Sequence, residues 1–416
     1  MDGVQCDDLA KKFGTPLYVL SEERIRHNYR AFRDALQGTY PNILVCPAYK
    51  ANSHLAVCRL YEMEGAGAEV VSYTELRIAL QAHVPPSKIV YNGPVKTDAD
   101  LELAISSGVG LVNADSRTEI EHMQKAAGNV GKKCNLGIRV NIGIKPATHP
   151  YLTTSQREDK FGIWMGDAID AYKEASKQSE LNVVGIHCHI GSNIRDTNTV
   201  SKMATQVFKL TSRIKKEAGV MLTKVDVGGG LGFPYEPTSP TMTPKQYARA
   251  LLANKAGRLN ELGNPTLTFE PGRAIVADSG ILLTRVEVLK KQGAVNWAIV
   301  DAGMNAFIRP ALYGAKHEVV LANRLSHPRV KYNVGGPCCE SGDVVAKQAP
   351  LPTLREGDLL AILDVGAYGF TMSNNYNGHP RPAVVLVCEG KGELIRSRET
   401  YEEMVANEII PPHLTR

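Results

Sequence analysis

The most constraining feature of this chain is a rhythm that begins near residue 42. An apolar run is followed by a turn residue and then by an amphipathic segment, and the unit repeats. The apolar runs fall at 43–49, 68–72, 88–92, 110–114, 135–141, 183–189, 224–228 and 266–270. Helical periodicity separates them, for example at 74–82, 98–106, 117–127, 200–218 and 245–262. Eight strands alternating with helices predict an α/β fold, a parallel (β/α)8 TIM barrel. An open doubly wound sheet requires a Gly-rich phosphate turn after its first strand. Tyr49-Lys50 stands there instead.

After about residue 276 the rhythm stops. Strand-like runs follow at 281–289, 297–300, 318–321, 359–363 and 383–387, with turn residues between them. They predict a separate all-β domain. An isolated strand at 15–20 is free to pair into it, which makes that domain discontinuous: 1–26 and 277–416, around a barrel at 27–276. Ser21 ahead of Glu22-Glu23 reads as a helix cap with first-turn acids, opening a helix to about residue 36. The stretch 142–161 is a long polar connection of the kind that closes over sites.

Charge and cysteine usage exclude several classes. Lys and Arg number 48 against 43 Asp and Glu, and they are scattered, so no nucleic-acid groove is expected. No apolar run is long enough for a membrane span. Met1-Asp2-Gly3 opens no secretory h-region. Eight cysteines without a C-x-x-C pair suit reduced thiols and a cytoplasmic location.

The ends of barrel strands carry the chemistry in such folds. Those positions hold Lys50, Glu69, Ser72, Asn92, Asn141, His187, His189, Asp226, Gly228, Gly229, Gly230, Glu270 and Arg273. A lysine at a buried strand end is desolvated, and desolvation makes an amine nucleophilic. Bare glycines after the seventh strand can present N–H groups to an anion. His187 and His189 share one side of their strand. They are open to three readings: core imidazoles, a metal pair with Asp226 and Glu270, or a ring stacked on an aromatic cofactor. Glu270 facing a pyridine nitrogen keeps that ring protonated and electron-withdrawing. Arg273 can take a carboxylate bidentately. In the second domain, Cys338-Cys339-Glu340-Ser341-Gly342-Asp343 pairs thiol and carboxylate in a turn. Arg309 and Tyr313 offer a guanidinium and a phenol, and Tyr368 a phenol between glycines.

These motifs occur in one order. They are Tyr49-Lys50-Ala51-Asn52, H-C-H-I-G-S at 187–192, G-G-G-L-G at 228–232 and E-P-G-R at 270–273. Then come I-R-P-A-L-Y at 308–313, C-E-S-G-D at 339–343 and A-Y-G-F at 367–370. Together they resemble the fold type III pyridoxal 5'-phosphate-dependent decarboxylases, most closely the diaminopimelate decarboxylase branch. The resemblance implies an alanine racemase-like barrel plus C-terminal all-β domain, pyridoxal phosphate as cofactor, no metal, and a homodimer with shared active sites. It implies that Lys50 binds the cofactor covalently and His189 stacks on its ring. Ser192, Gly228, Gly229, Gly230, Gly272, Arg273 and Tyr368 hold it, and Glu270 pairs with its ring nitrogen. Arg273, Arg309, Tyr313, Glu340 and Tyr368 bind substrate, and Cys339 acts at the reacting carbon, with Cys339 and Glu340 entering from the partner subunit. The implied reaction takes meso-2,6-diaminopimelate to L-lysine and carbon dioxide in lysine biosynthesis. Related decarboxylases of ornithine, lysine or carboxynorspermidine, a silent cofactor-binding homologue, and a metal-dependent hydrolase using His187, His189 and Asp226 are the alternatives. Glu69 stands where the family commonly has Asp, and Ala306 and Thr74 also depart from its pattern.

Overall fold

The computed structural model describes residues 1–145, 157–236, 239, 241–325 and 329–415. Most of the polar connection expected at 142–161 therefore lies outside the described residues. The chain forms two compact units, Ile25–Val276 and Met1–Arg24 with Ala277–Arg416.

Strand β1 (Leu17–Ser21) belongs to the second of these units. Ser21 then starts the helix Glu22–Gln37, its Oγ accepting the Arg24 N–H at 3.0 Å. The barrel strands follow as β2 (Ile43–Val45), β3 (Ala68–Val70), β4 (Ile89–Tyr91), β5 (Leu111–Ala114) and β6 (Cys134–Asn141). A two-residue strand, β7 (Ile163–Trp164), pairs outside β6. β8 (Leu181–His187), β9 (Lys224–Asp226) and β10 (Thr266–Phe269) complete the set. All neighbours are parallel in the order β2-β10-β9-β8-β6-β5-β4-β3. The ring closes beyond the end of β2, where Tyr49 N–H donates to Glu69 O at 3.1 Å and Glu69 N–H donates to Pro47 O at 3.0 Å. β2 stops at Val45 rather than at residue 49 because Pro47 has no N–H to give the ladder.

Leu44, Cys46, Val90, Leu111 and Val184 pack together inside the barrel. A Cβ on Gly185 would stand 2.6 Å from Leu111 Cδ1, so glycine is what lets this plug close. Polar side chains follow it at the strand ends. The expected helix 245–262 is two, Pro244–Leu252 and Ala256–Glu261. Asn254 between them takes a left-handed φ of 60°, which Asn tolerates better than most residues.

The β unit is built on β11 (Gly280–Gln292), which pairs antiparallel with β1 and, past a bulge at Val286/Val288, with β12 (Val295–Val300). β13 (Val319–Leu321), β14 (Arg329–Gly335), β15 (Val344–Pro352), β16 (Leu359–Ile362), β17 (Ala383–Cys388) and β18 (Lys391–Arg396) follow. β1 pairs parallel with β17, so the first strand of the chain sits mid-sheet and the unit is discontinuous. Its core includes Leu17, Val19, Leu283, Leu359, Val385 and Val387, covered by Leu9 and Ala10 of the helix Cys6–Phe13. β14, β15 and β18 escape the sequence reading because they lie at or next to sheet edges, with most of their side chains exposed or half-buried. Among the described residues no helix is long and apolar enough to cross a membrane.

Candidate active site

A chain of buried polar contacts crosses the C-terminal ends of the barrel strands. Lys50 Nζ donates to Glu69 Oε2 at 2.7 Å. Asn92 Nδ2 donates to Glu69 Oε1 at 3.1 Å and to Glu270 Oε1 at 2.6 Å. Asn113 Nδ2 donates to Asn92 Oδ1 at 2.8 Å, which fixes the way the Asn92 amide faces. His187 Nε2 lies 3.3 Å from Glu270 Oε2 and carries the proton that this contact needs. Glu69, Asn92, Asn113, His187, Asp226 and Glu270 are all buried. Each comes from the last residue of a strand or the residues beside it, so the barrel's parallel register is what converges them.

Lys50 differs from its expectation. Its side chain is 43% exposed, while Glu69 is 1% exposed. The turn at 49–50 lifts the amine out of the strand, so the desolvation argument fails in the chain as folded. What singles Lys50 out is its charged hydrogen bond to a buried carboxylate.

The charges in this floor are uneven. Burial opposes an ionised Glu270, yet His187 and Lys50 hold its carboxyl well below the usual range. Burial and the neighbouring Glu270 charge push Asp226 well above it. Burial, Lys50 and Arg139 bring His189 down to about 3, so its imidazole is neutral. Glu75, beside Glu69, rises to about 7 through burial and the Glu69 charge.

The glycine turn sits on the rim. Gly229 N–H donates to His189 Nδ1 at 3.2 Å, and Gly228 N–H to Asp226 Oδ1 at 2.8 Å. A Cβ on Gly229 would stand 2.1 Å from Glu270 O, and one on Gly230 2.5 Å from Gly191 O. The turn is therefore pressed onto the strand ends in a way only glycine permits. Arg273 Nη2 donates to Ser192 Oγ at 3.3 Å and Nη1 to Tyr235 Oη at 2.7 Å. The hydroxyl and the buried guanidinium at this rim together suit an anion.

Among the described residues, the side chains close enough to share a cation are His187, Asp226 and Glu270, within 4.8 Å of one another. His189 is not in that group; it turns to the glycines instead. Glu270 already accepts from Asn92 and His187, so the cluster reads as a hydrogen-bonded floor. Ser72 is not part of the site either. Its Oγ caps the helix Tyr73–Gln81 by accepting the Glu75 N–H.

In the β unit, Arg309 is buried at the start of the short helix Arg309–Tyr313, with its guanidinium carbon 5.9 Å from the Tyr368 ring centroid. Asp343 ties two turns together. Its Oδ1 accepts Met304 N–H at 2.6 Å and its Oδ2 accepts Cys338 N–H at 2.8 Å. Cys338 is buried, and burial with the Asp343 charge pushes its thiol up to about 11. Cys339 and Glu340 next to it are exposed. Of the two adjacent thiols, Cys339 is thus the one available for chemistry.

Sequence reasoning missed Asn113, Arg139, Tyr235 and the tying role of Asp343. Asn113 stands one residue before the end of β5, and Arg139, inside β6, reaches the site through its charge on His189.

A family model described as "Pyridoxal-dependent decarboxylase, pyridoxal binding domain" matches residues 22–277. The diaminopimelate decarboxylase of Methanocaldococcus jannaschii is 39% identical over 420 residues, covering 100% of this chain and 95% of that one. That of Pseudomonas aeruginosa is 42% identical over 412 residues, covering 99% and 97%. The crystal structure of the Methanocaldococcus jannaschii diaminopimelate decarboxylase matches with a TM-score of 0.94 at 38% identity, covering 98% of this chain and 95% of that chain. The same enzyme in complex with L-lysine matches with a TM-score of 0.92 at 38% identity, over the same shares of the two chains. With a polar floor, a close-packed glycine rim and relatives of this kind along its whole length, the chain belongs to the diaminopimelate decarboxylase family of pyridoxal-dependent decarboxylases.

Proposed function

We propose that the chain removes carbon dioxide from the D-centre of meso-2,6-diaminopimelate and yields L-lysine, the last step of lysine biosynthesis, with pyridoxal 5'-phosphate as cofactor. The observation that carries this reading is the contact chain Lys50–Glu69–Asn92–Glu270 beside the Gly228–Gly230 rim. An amine, an ionised buried carboxylate and a glycine rim match the aldehyde, the ring nitrogen and the phosphate of that cofactor. When bound, pyridoxal phosphate supplies a protonated ring that takes up the electron pair left by the departing carbon dioxide.

The chain's own residues have the following roles in this reading. Lys50 holds the cofactor until substrate amine displaces it, and Glu69 keeps Nζ in place. Glu270, held ionised by Asn92 and His187, accepts the ring N–H. His189, neutral, covers one ring face without adding charge. Ser192, Gly228, Gly229, Gly230, Gly272, Arg273 and Tyr368 serve the phosphate. Arg309 and Tyr313, with Arg273 and Tyr368, serve the distal end of the substrate. A distal carboxylate beside the second amine distinguishes diaminopimelate from ornithine and lysine, and arginines with a carboxylate answer that pattern. The protein acts as a homodimer in which the partner subunit's Cys339 stands near the reacting carbon, the partner subunit's Cys339 and Lys50 being the candidates that return the proton there, and the partner subunit's Glu340 meets the distal amine. The exposure of both on this chain supports that assignment. Eight free thiols suit a cytoplasmic setting.

The test is carbon dioxide release from meso-diaminopimelate, L-lysine, L-ornithine and carboxynorspermidine with added pyridoxal phosphate, with chiral analysis of the product. Release from meso-diaminopimelate alone, giving L-lysine, is expected. Release from another amine and not from diaminopimelate overturns the substrate. Cofactor binding with silence on all four overturns the catalytic reading. Lys50→Ala abolishes the visible absorbance of the cofactor–lysine linkage; a retained band refutes its role.

A further inference from the structure

Asp226 is fully buried, and its two oxygens are treated differently. Oδ1 accepts the Gly228 N–H at 2.8 Å. Among the described residues no N–H or O–H donor reaches Oδ2. The Glu270 carboxylate, itself an acceptor, stands beside it, with carboxylate oxygens of the two residues within 4.8 Å of each other. Two buried carboxylates this close strongly disfavour double ionisation, which favours one proton held between them. The donors around the pair decide which side holds it. Glu270 receives Asn92 Nδ2 at 2.6 Å and faces His187 Nε2 at 3.3 Å, while Asp226 receives one main-chain N–H.

We propose that Asp226 is a neutral acid whose Oδ2–H donates to the Glu270 carboxylate, making Asp226 a positioning residue for that charge. The other groups facing it agree. Glu69 adds negative charge. The thiols Cys46 and Cys188 and the phenol Tyr247 are neutral, each pushed up by burial. Lys224, lowered by burial, opposes the proton and is engaged by Gly110 O, and His187, within 4.8 Å of Asp226, turns its Nε2 to Glu270. The consequence rests on the proposed function. A Glu270 that receives three donors stays charged but is a weak base, so it binds a ring N–H without removing the proton.

Asparagine keeps the donor and alanine does not. In the full-length, cofactor-loaded protein at about pH 8.5, where Glu75 with its pKa of about 7 is ionised, the infrared spectrum of the wild type carries a protonated-carboxyl C=O band that shifts in D2O. Asp226→Asn lacks it. Asp226→Asn keeps cofactor affinity within about threefold, the scale of one altered neutral hydrogen bond, and Asp226→Ala weakens it about tenfold or more. The linkage sign follows from a folded-state pKa raised above the unfolded one. The wild type's contribution is complete below the unfolded value, about 3.9, and is lost as pH rises toward the folded value. The thermal midpoint of Asp226→Asn therefore gains on the wild type between about pH 5 and pH 8. A wild type without the band, a band that survives in Asp226→Asn, or a pH-independent difference in midpoint overturns the proton assignment. Equal cofactor loss in the asparagine and alanine variants overturns the positioning role. The band and the midpoints do not depend on turnover, so a protein that shows both yet does not decarboxylate diaminopimelate would sink the proposed function and leave the proton on Asp226.

Discussion

Replacing Asn92 with alanine tests whether the floor of the site is a connected structure. Asn92 is buried and donates to Glu270 at 2.6 Å and to Glu69 at 3.1 Å, while Asn113 donates to it at 2.8 Å. The two bonds to carboxylates contribute about 1.5–3 kcal/mol each and the amide–amide bond about 1 kcal/mol, so the sum is about 4–7 kcal/mol. A water admitted to the vacated space restores part of this, because the site is polar and offers it partners. The expected loss is about 2–4 kcal/mol, with charged groups left short of donors as its main cause. Urea unfolding followed by circular dichroism reads the stability, and titration with pyridoxal phosphate followed by absorbance reads the site. Both fall together in this account, since Glu270 loses a donor as well as the protein losing stability. Asn92→Asp is worse than alanine at pH 8 and recovers toward it at pH 5, because it sets a third carboxylate against two others. A stability loss under about 1 kcal/mol with unchanged cofactor binding would refute the reasoning.

Gly229→Ala places a Cβ 2.1 Å from a main-chain oxygen, so the turn must move, and cofactor affinity measured by absorbance titration falls about tenfold or more while the fold survives. Asp343→Ala frees two main-chain N–H groups bonded at 2.6 and 2.8 Å to a buried carboxylate, costing about 2–4 kcal/mol. Asp343→Asn, which accepts only one of the two, falls between the alanine variant and the wild type in thermal unfolding. His189, with a pKa of about 3, shows no imidazole titration by NMR between pH 5 and 8. A titration in that window contradicts the neutral ring.

The barrel was readable because its strands are apolar runs set off by turn residues, and periodicity reports burial directly. The gathering of Lys50, His189, Gly228–Gly230, Glu270 and Arg273 at the strand ends was readable because a parallel barrel places strand ends in one ring, so position along the chain stands in for position in space. The cap at Ser21 and the discontinuous β unit were readable for similar local reasons. Other features were settled only by three-dimensional packing. Pro47 shortens the first barrel strand and the turn after it leaves Lys50 part-exposed, which no hydropathy pattern records. Asn92 and Asn113 become partners through neighbouring strands of one sheet, not through spacing in the sequence. Which of Asp226 and Glu270 keeps its charge depends on how many N–H donors each meets, and that count exists only in the folded chain. Residue types and their order determined what chemistry is available. The tertiary structure decided which groups share protons and charge, because electrostatic coupling acts over a few ångströms of space.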